Sequence, residues 1–318
     1  MRIIKLYNAL VMMSLAVASF SFCACSPGES SPRPVDYVDP IIGSGGHGHV
    51  FVGANVPFGA VQVGPNNIYK GWDWCSGYHY SDSLIIGFSN LRLSGTGIGD
   101  LADVLIMPYT GKVRLDKGRQ EYPHGGYLST FSHDNETVEP GYYSVAMDNG
   151  VKVELTATER TAYHRYYFPD SEDAHIIIDL KEGINDRTTE SALSLVDDYT
   201  ILGHRFSSGW AKEQQVFFAI RSSVAITDFE SFKNTELDSL KGLISFKESP
   251  GMVELKVGIS PTSEENALMN LEEEIPDWDF EEIVASAQEK WNDELSKIII
   301  ETADESHKRI FYTALYHP

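Results

Sequence analysis

Three histidines, two tryptophans and three aspartates fall within one glycine-rich stretch of this sequence, from Gly43 to Asp100. It reads GSGGHGHVFVGANVPFGAVQVGP, then GWDWCSGYHYSD, then GFSNLRLSGTGIGDLAD. Gly45 and Gly46 lead into His47 and His49, while Trp72 and Trp74 flank Asp73, with Cys75, Tyr78 and His79 close behind. Flat aromatic faces beside hydrogen-bonding groups suit a sugar ring, which offers apolar C–H patches and hydroxyl edges. If the segment is extended, Trp72 and Trp74 share a face, as do His47 and His49. The competing reading is a glycine-rich β-core whose tryptophans are simply buried.

Other chemistries fit less well. His47 and His49 could begin a zinc site, but zinc needs a third ligand and an open position. Asp73, His79 and Asp100 are the conceivable partners; polar groups satisfied within a turn are the simpler reading. Gly95 to Gly99 is no phosphate loop, because it lacks the GxGxxG and GK[ST] patterns and Asp100 would repel an anion. Asp100 and Asp103 read as residues of a turn and of the start of a strand.

The elements that would position these residues are mostly β. Val151, Val153, Leu155 and Ala157 alternate with Lys152, Glu154, Thr156 and Thr158, the pattern of a half-buried strand. Asn149-Gly150 just before it signals a hairpin with 142–147. Further strands are expected over 84–88, 103–107, 161–168, 175–180, 191–196, 199–206, 216–221, 224–229, 243–247 and 253–259. Many short strands separated by turn residues point to a β-sandwich rather than a βαβ fold. After Pro261 the pattern becomes helical. Ser263 can cap a helix through Leu271, and Asp277 a longer one from Trp278 to Ser296 with Phe280, Val284, Ala287, Trp291 and Leu295 on its buried face. Ile298 to Ile300 reads as a buried strand, and Asp304 opens a last helix through Tyr316. Ile310, Phe311 and Leu315 of that helix are expected to face solvent, the mark of a domain cut short.

A net charge of −21 argues against nucleic acid and anionic lipid as partners and leaves neutral glycans compatible. The first 25 residues read as a targeting segment: Arg2 and Lys5, an apolar run from Ala9 to Phe22, then Phe22-Cys23-Ala24-Cys25. The apolar run is shorter than the ~20 residues of a membrane span. Small Ala24 makes Cys25 the expected lipid acceptor, and SPGESSPRP a tether after it. With Cys25 acylated and Cys23 removed, Cys75 has no disulfide partner.

VDPIIGSGGHGH, VPFGAVQVGP, GWDWCSGYHYSD and LSGTGIGD, in this order and spacing, resemble the N-terminal domain of glycoside hydrolase family 92. That is a family of calcium-dependent, exo-acting α-mannosidases common in gut Bacteroidetes. The resemblance runs from about Val35 to the last residue. It implies a fold that is mostly β: an N-terminal β-sandwich of the supersandwich, galactose-mutarotase-like kind, then linker helices and the truncated start of an (α/α)6 helical domain. The implied divisions are a signal peptide over 1–24, a tether over 25–34, the sandwich over 35–262, linker helices over 263–297 and the truncated catalytic start over 298–318.

In such an inverting enzyme a glutamic acid acts as general acid and an aspartate as general base, ~6.5–9.5 Å apart to admit water. The resemblance puts both in the helical domain, along with the main calcium ligands, so no catalytic residue is assigned here. Calcium would take hard oxygen ligands and contact sugar hydroxyls. Gly45, Gly46, His47, Trp72, Asp73, Trp74, Cys75 and His79 match the family motifs and are expected to line the opposite wall of a pocket for mannose-containing glycans. The expected product is a lipoprotein α-mannosidase portion, inactive alone. A surface glycan-binding lipoprotein without hydrolysis, or a supporting structural domain, are the alternatives. Radiolabelled palmitate should enter the wild type and be lost in Cys25→Ala; label that survives there and disappears in Cys23→Ala would move the anchor.

Overall fold

The computed structural model describes residues 32–170, 173–234, 239–246 and 248–317. The chain divides into Met1–Pro32 and Arg33–Pro318, and the fold below is that of the second unit. The expected lipid acceptor Cys25, most of the expected tether and Lys247 at the end of one expected strand lie outside the described residues.

Antiparallel pairing dominates. Among the described residues a seven-stranded sheet runs Ala54–Asn55, Gln62–Asn66, Gly87–Ser89, Leu105–Thr110, Ala174–Asp179, Ser239–Phe246, Phe229–Asn234. A nine-stranded sheet runs Arg187–Asp197, Thr200–Ser208, Gln214–Ser222, Met252–Ser260, Thr161–Tyr167, Lys152–Ala157, Tyr142–Met147, Ser129–Glu139, Leu84–Ile85. Apolar residues of both sheets share one core, with Val63, Phe88 and Ile176 on one side and Val153, Tyr166 and Val257 on the other. The rings of Phe88 and Tyr143 meet across it at 6.3 Å. This is the expected mostly β sandwich, and the Asn149-Gly150 hairpin pairs Lys152 with Ala146.

Several local expectations fail for identifiable reasons. The run 84–88 is two strands in different sheets, because the chain leaves one sheet at Ile86 and joins the other at Gly87. The run from Asp103 is likewise broken at Val104, which adopts φ +57°. Val151–Thr158 is not half-buried: Glu154 and Thr156 on its second face are covered as well. The cover is helix α2 (Phe280–Leu295), which lies against that strand and carries Glu281, a partner of the same arginine, Arg165, that bonds Glu154. The segment 224–227 is a loop, its Ile226 N–H held by the Asp198 carbonyl at 2.7 Å, and the strand begins at Phe229. Sequence patterning missed Gln62–Asn66 and the long Ser129–Glu139 strand.

Helix α1 (Glu264–Glu274) is capped by Ser263, whose hydroxyl accepts the Asn266 N–H at 3.1 Å, and it buries Ala267 and Leu271 against Ala219. Helix α2 is capped by Asp279 rather than Asp277. Starting there lets Phe280 go into the core while Trp278 stays outside, over the Lys256 ammonium at 4.0 Å. Helix α3 (Glu305–Tyr316) is capped by Asp304, as expected. Ile298 to Ile300 is a link between two packed helices with no strand beside it, and Ile298 and Ile299 are exposed. Ile310 faces solvent, but Phe311 and Leu315 pack at the edge of a small core of Val35, Trp291, Leu295, Tyr312 and Tyr316. Trp291 Nε1 donates to the Asn55 carbonyl at 2.8 Å and Tyr316 OH to the Asn55 side chain at 3.1 Å, pinning both helices to one short strand. Among the described residues no helix is long and apolar enough to cross a membrane.

His164 in the shared core yields a pH prediction. The Asn90 amide donates to the Val104 carbonyl at 2.7 Å, so its oxygen faces His164 Nε2 at 2.7 Å, and the ring donates there. The other ring nitrogen accepts from Tyr166 OH at 2.8 Å, leaving no room for a second proton. Burial lowers its pKa from 6.5 to about 3. The unfolded chain therefore takes up a proton that the folded chain refuses, and stability falls as pH drops from 6.5 toward 3. Urea unfolding should show a slope from this group approaching about 1.4 kcal/mol per pH unit. His164→Gln should flatten the decline between neutrality and mild acid; identical slopes would rule this residue out as its cause.

Candidate functional site

The segment from Gly71 to Gly77 is not extended. Trp72–Trp74 forms one turn of 3₁₀ helix, so its two tryptophans point apart instead of sharing a face. His47 lies in a turn, and His49 follows it at φ +57°. These two loops meet through Asp73: His47 Nδ1 donates to its carboxylate at 2.5 Å, and His49 Nε2 lies 3.7 Å away. The bond from His47 holds the Asp73 carboxyl below the usual aspartate range. Trp72 stands beside both imidazoles, with the His49 ring edge-on at 4.1 Å and the His47 ring tilted at 5.3 Å. A third loop closes in at Gly97, where a Cβ would lie 3.1 Å from Trp72 Nε1 and 3.4 Å from His49 Nδ1. Trp72 nevertheless remains 57% exposed.

Trp74 is held from several sides. Its ring stacks on His79 at 4.4 Å, and its indole N–H donates to Asp82 at 3.0 Å. Lys70 bonds the same Asp82 oxygen at 2.6 Å and sits over the Trp74 ring. His79 is nearly buried; its Nε2 donates to the Gly46 carbonyl at 3.2 Å and its Nδ1 accepts from Ser81 at 2.8 Å. Gly45 lies in the same turn, its carbonyl accepting the Gly48 N–H. Cys75 is buried beneath, and burial raises its thiol pKa. The structure thus brings Gly46, His47, Trp72, Asp73, Trp74 and His79 together in one connected cluster. Trp72, His47 and Asp73 form its open part, and Trp74, Cys75 and His79 its packed base.

Sequence reasoning passed over Arg92, which is buried below this cluster. Its guanidinium donates to the carbonyls of Gly64 and Ser76 and to the Asn66 side chain. A Cβ at Gly77 would lie 2.6 Å from Arg92 Nη1, and Gly77 itself has φ +88°, so only glycine fits there. The signal was a lone arginine inside the apolar-polar run LRLS. Asp100 was read as a turn residue; it is buried and also clasps the loop carrying Trp210, accepting the Ala211 N–H at 2.9 Å. Asp103 pairs with buried Arg205 at 2.5 Å. Of the conceivable zinc partners, Asp73 lies against His47 and His49, while His79 and Asp100 are engaged with backbone elsewhere.

The cluster is an open face rather than a closed pocket. A cavity of about 470 Å³ lies elsewhere, lined by Phe51, Asn55, Trp291 and Tyr316, and none of the eight sequence-predicted residues lines it. An exposed indole beside two imidazoles and an ionised carboxylate can stack on the apolar face of a sugar and accept its hydroxyls.

Comparison with known proteins gives the class. A fungal protein described as an uncharacterized secreted glycosidase, from Arthroderma benhamiae, is 26% identical over 88% of this chain and 40% of its own length. Among solved structures, a family GH92 α-mannosidase of Bacteroides thetaiotaomicron is 35% identical with a TM-score of 0.86, over 90% of this chain and 41% of that one. The same relative has been solved with mannoimidazole. Residues 37–260 match the glycosyl hydrolase family 92 N-terminal domain, and residues 266–318 the family 92 catalytic domain. The chain belongs to glycosyl hydrolase family 92. It spans about two fifths of the length of the relatives it matches.

Unequal burial of Trp72 and Arg92 gives distinct stability changes. Trp72→Ala should cost under about 1 kcal/mol, as for an exposed side chain. Arg92→Met takes the guanidinium donors from the Gly64 and Ser76 carbonyls, while the Asn66 oxygen keeps the Ser89 hydroxyl, and should cost about 3 kcal/mol or more. Guanidinium denaturation of both variants checks this; an equal loss would mean that Trp72 is ordinary core.

Proposed function

We propose that this chain forms the substrate-facing β portion of an exported, lipid-anchored exo-α-mannosidase that inverts configuration at the anomeric carbon. The observation that carries the reading is the exposed Trp72 face with the His47–Asp73 pair beside it. The likeness to mannosidases at 35% identity supports the choice of sugar. Trp72 packs on the apolar face of a terminal mannose, and Asp73, kept ionised by His47, accepts its hydroxyls. Trp74 and His79 hold that surface in place from below. Such contacts orient the sugar, and the general acid and base act from residues outside these 318.

Calcium is part of the same proposal. Its main ligands are expected in the helical domain from the resemblance to the family, and no step above is routed through it. Export and acylation at Cys25 rest on the leader pattern and on the secreted description of the fungal relative.

An aryl α-mannoside assay with calcium or with chelator tests the division of labour. The 318-residue chain alone should give no turnover. Calcium-dependent turnover from it would place the acid and base within these residues. In the enzyme that includes the helical domain, Trp72→Ala and Asp73→Asn should each lower kcat/KM by about tenfold or more. Wild-type kinetics in both variants would remove this face from the active site.

A further inference from the structure

A second aromatic surface lies at the tip joining Arg187–Asp197 to Thr200–Ser208 in the nine-stranded sheet and shares no residue with the cluster around Trp72. It is a cleft of about 590 Å³ lined by Tyr199, Trp278, Asp197, Asp198, Arg221 and Ser223, among others. Tyr199 and Trp278 are both exposed, 46% and 39%. We propose that this cleft is a second carbohydrate-binding site, taking a neutral hexose chain remote from the face that handles the reacting sugar.

Both walls are built and rigid. One wall is the hairpin tip joining Arg187–Asp197 to Thr200–Ser208. There the Tyr199 N–H bonds the Asp197 carboxylate at 2.8 Å. The Tyr199 carbonyl accepts the Ser222 N–H at 2.9 Å, and the Asp198 carbonyl accepts the Ile226 N–H at 2.7 Å. These bonds tie the tip to the loop after Gln214–Ser222, so the tyrosine is presented by fixed backbone. The other wall is Trp278, left outside the helix when α2 starts at Phe280. The buried Lys256 ammonium lies 4.0 Å from its ring centroid, and Nζ is itself held by the Ile275 carbonyl at 2.8 Å. Tyr163 meets the same indole edge-on at 5.9 Å. With one face covered by a lysine and an edge by a tyrosine, the indole cannot turn away. A ring pinned in this manner binds without first losing its own freedom.

The polar lining matches the same ligand. Two adjacent carboxylates and the Arg221 guanidinium, which also bonds Glu272 at 3.1 Å, offer acceptors and donors to hydroxyls. A phosphate-bearing ligand would meet Asp197 and Asp198 and be repelled. An uncharged ring with apolar C–H faces meets neither penalty. This site stands whether or not the chain takes part in hydrolysis; only the choice of mannan as first probe rests on the function proposed above.

Native affinity electrophoresis of the whole chain in gels containing α-mannan, α-glucan or no polymer tests the proposal. Retardation in a polymer gel should weaken by about tenfold in apparent affinity in Tyr199→Ala and Trp278→Ala. It should stay at the wild-type level in Ile310→Ala, an exposed apolar residue outside both surfaces. Because Trp278 also packs on Lys256, Asp198→Ala provides a variant confined to the exposed tip, and it should weaken binding too. Retardation by glucan alone with this same variant dependence would keep the site and weaken the mannose reading. The proposal is overturned if neither polymer retards the wild type, if Tyr199→Ala and Asp198→Ala both bind normally, or if Trp72→Ala alone abolishes binding.

Discussion

A buried guanidinium holds together the two stretches on which the open face is built. Arg92 reaches the Gly64 carbonyl and the Asn66 side chain on one strand, and the Ser76 carbonyl at the end of the Trp72 turn. No carboxylate among its hydrogen-bond partners neutralises it; neutral oxygens do the work that water would do outside. Burial lowers its pKa, to about 9, which leaves it charged at neutral pH. A lysine is a poor replacement, because its three donors leave a single nitrogen whereas Ser76 is reached from one guanidinium nitrogen and Gly64 and Asn66 from the other. The cation fixes where the turn leaves the sheet, and that exit decides which tryptophan faces outward.

From this anchor the rest of the face follows by division of contacts. Asp82 takes the indole N–H of Trp74, the ammonium of Lys70 and the backbone N–H groups of Ser83 and Leu84, so Trp74 is committed to structure on that side. Asp73, one residue earlier, looks the opposite way to His47. A 3₁₀ turn separates successive side chains by about a third of a revolution, which parts these two functions within three residues. Two carboxylates nine residues apart, Asp82 and Asp73, thus serve different ends, one saturated and one turned to solvent.

The sandwich, the hairpin at Asn149-Gly150 and the caps at Ser263 and Asp304 were legible because each depends on a local pattern: alternation, a turn dipeptide, a side chain that accepts an N–H. The breaks at Ile86 and Val104 were not, because crossing from one sheet to another leaves apolar alternation intact. Choosing Asp279 over Asp277 as the cap likewise depended on a distant partner, Lys256, for Trp278. For the candidate site, residue types and proximity could be read from the motif. The orientation of Trp72 against Trp74 could not, since it is set by Arg92 and Asp82 through contacts the spacing does not display. Beneath the third glycine loop, Asp100 reached a loop more than a hundred residues later, which no local pattern announces.

Asn55 accepts hydrogen bonds from Trp291 and Tyr316, residues 236 and 261 positions further along the chain. A ribosome delivers them in that order, so the short strand at Ala54–Asn55 exists long before its clamps emerge. Until then the Asn55 carbonyl, the Asn55 side chain and the apolar residues destined to meet α2 and α3 are exposed on a nascent sandwich. Contacts of such sequence separation form late and slowly. Docking of these helices onto a nearly finished sheet is therefore a late step, and the interval before it is when the nascent sandwich most needs protection from its neighbours.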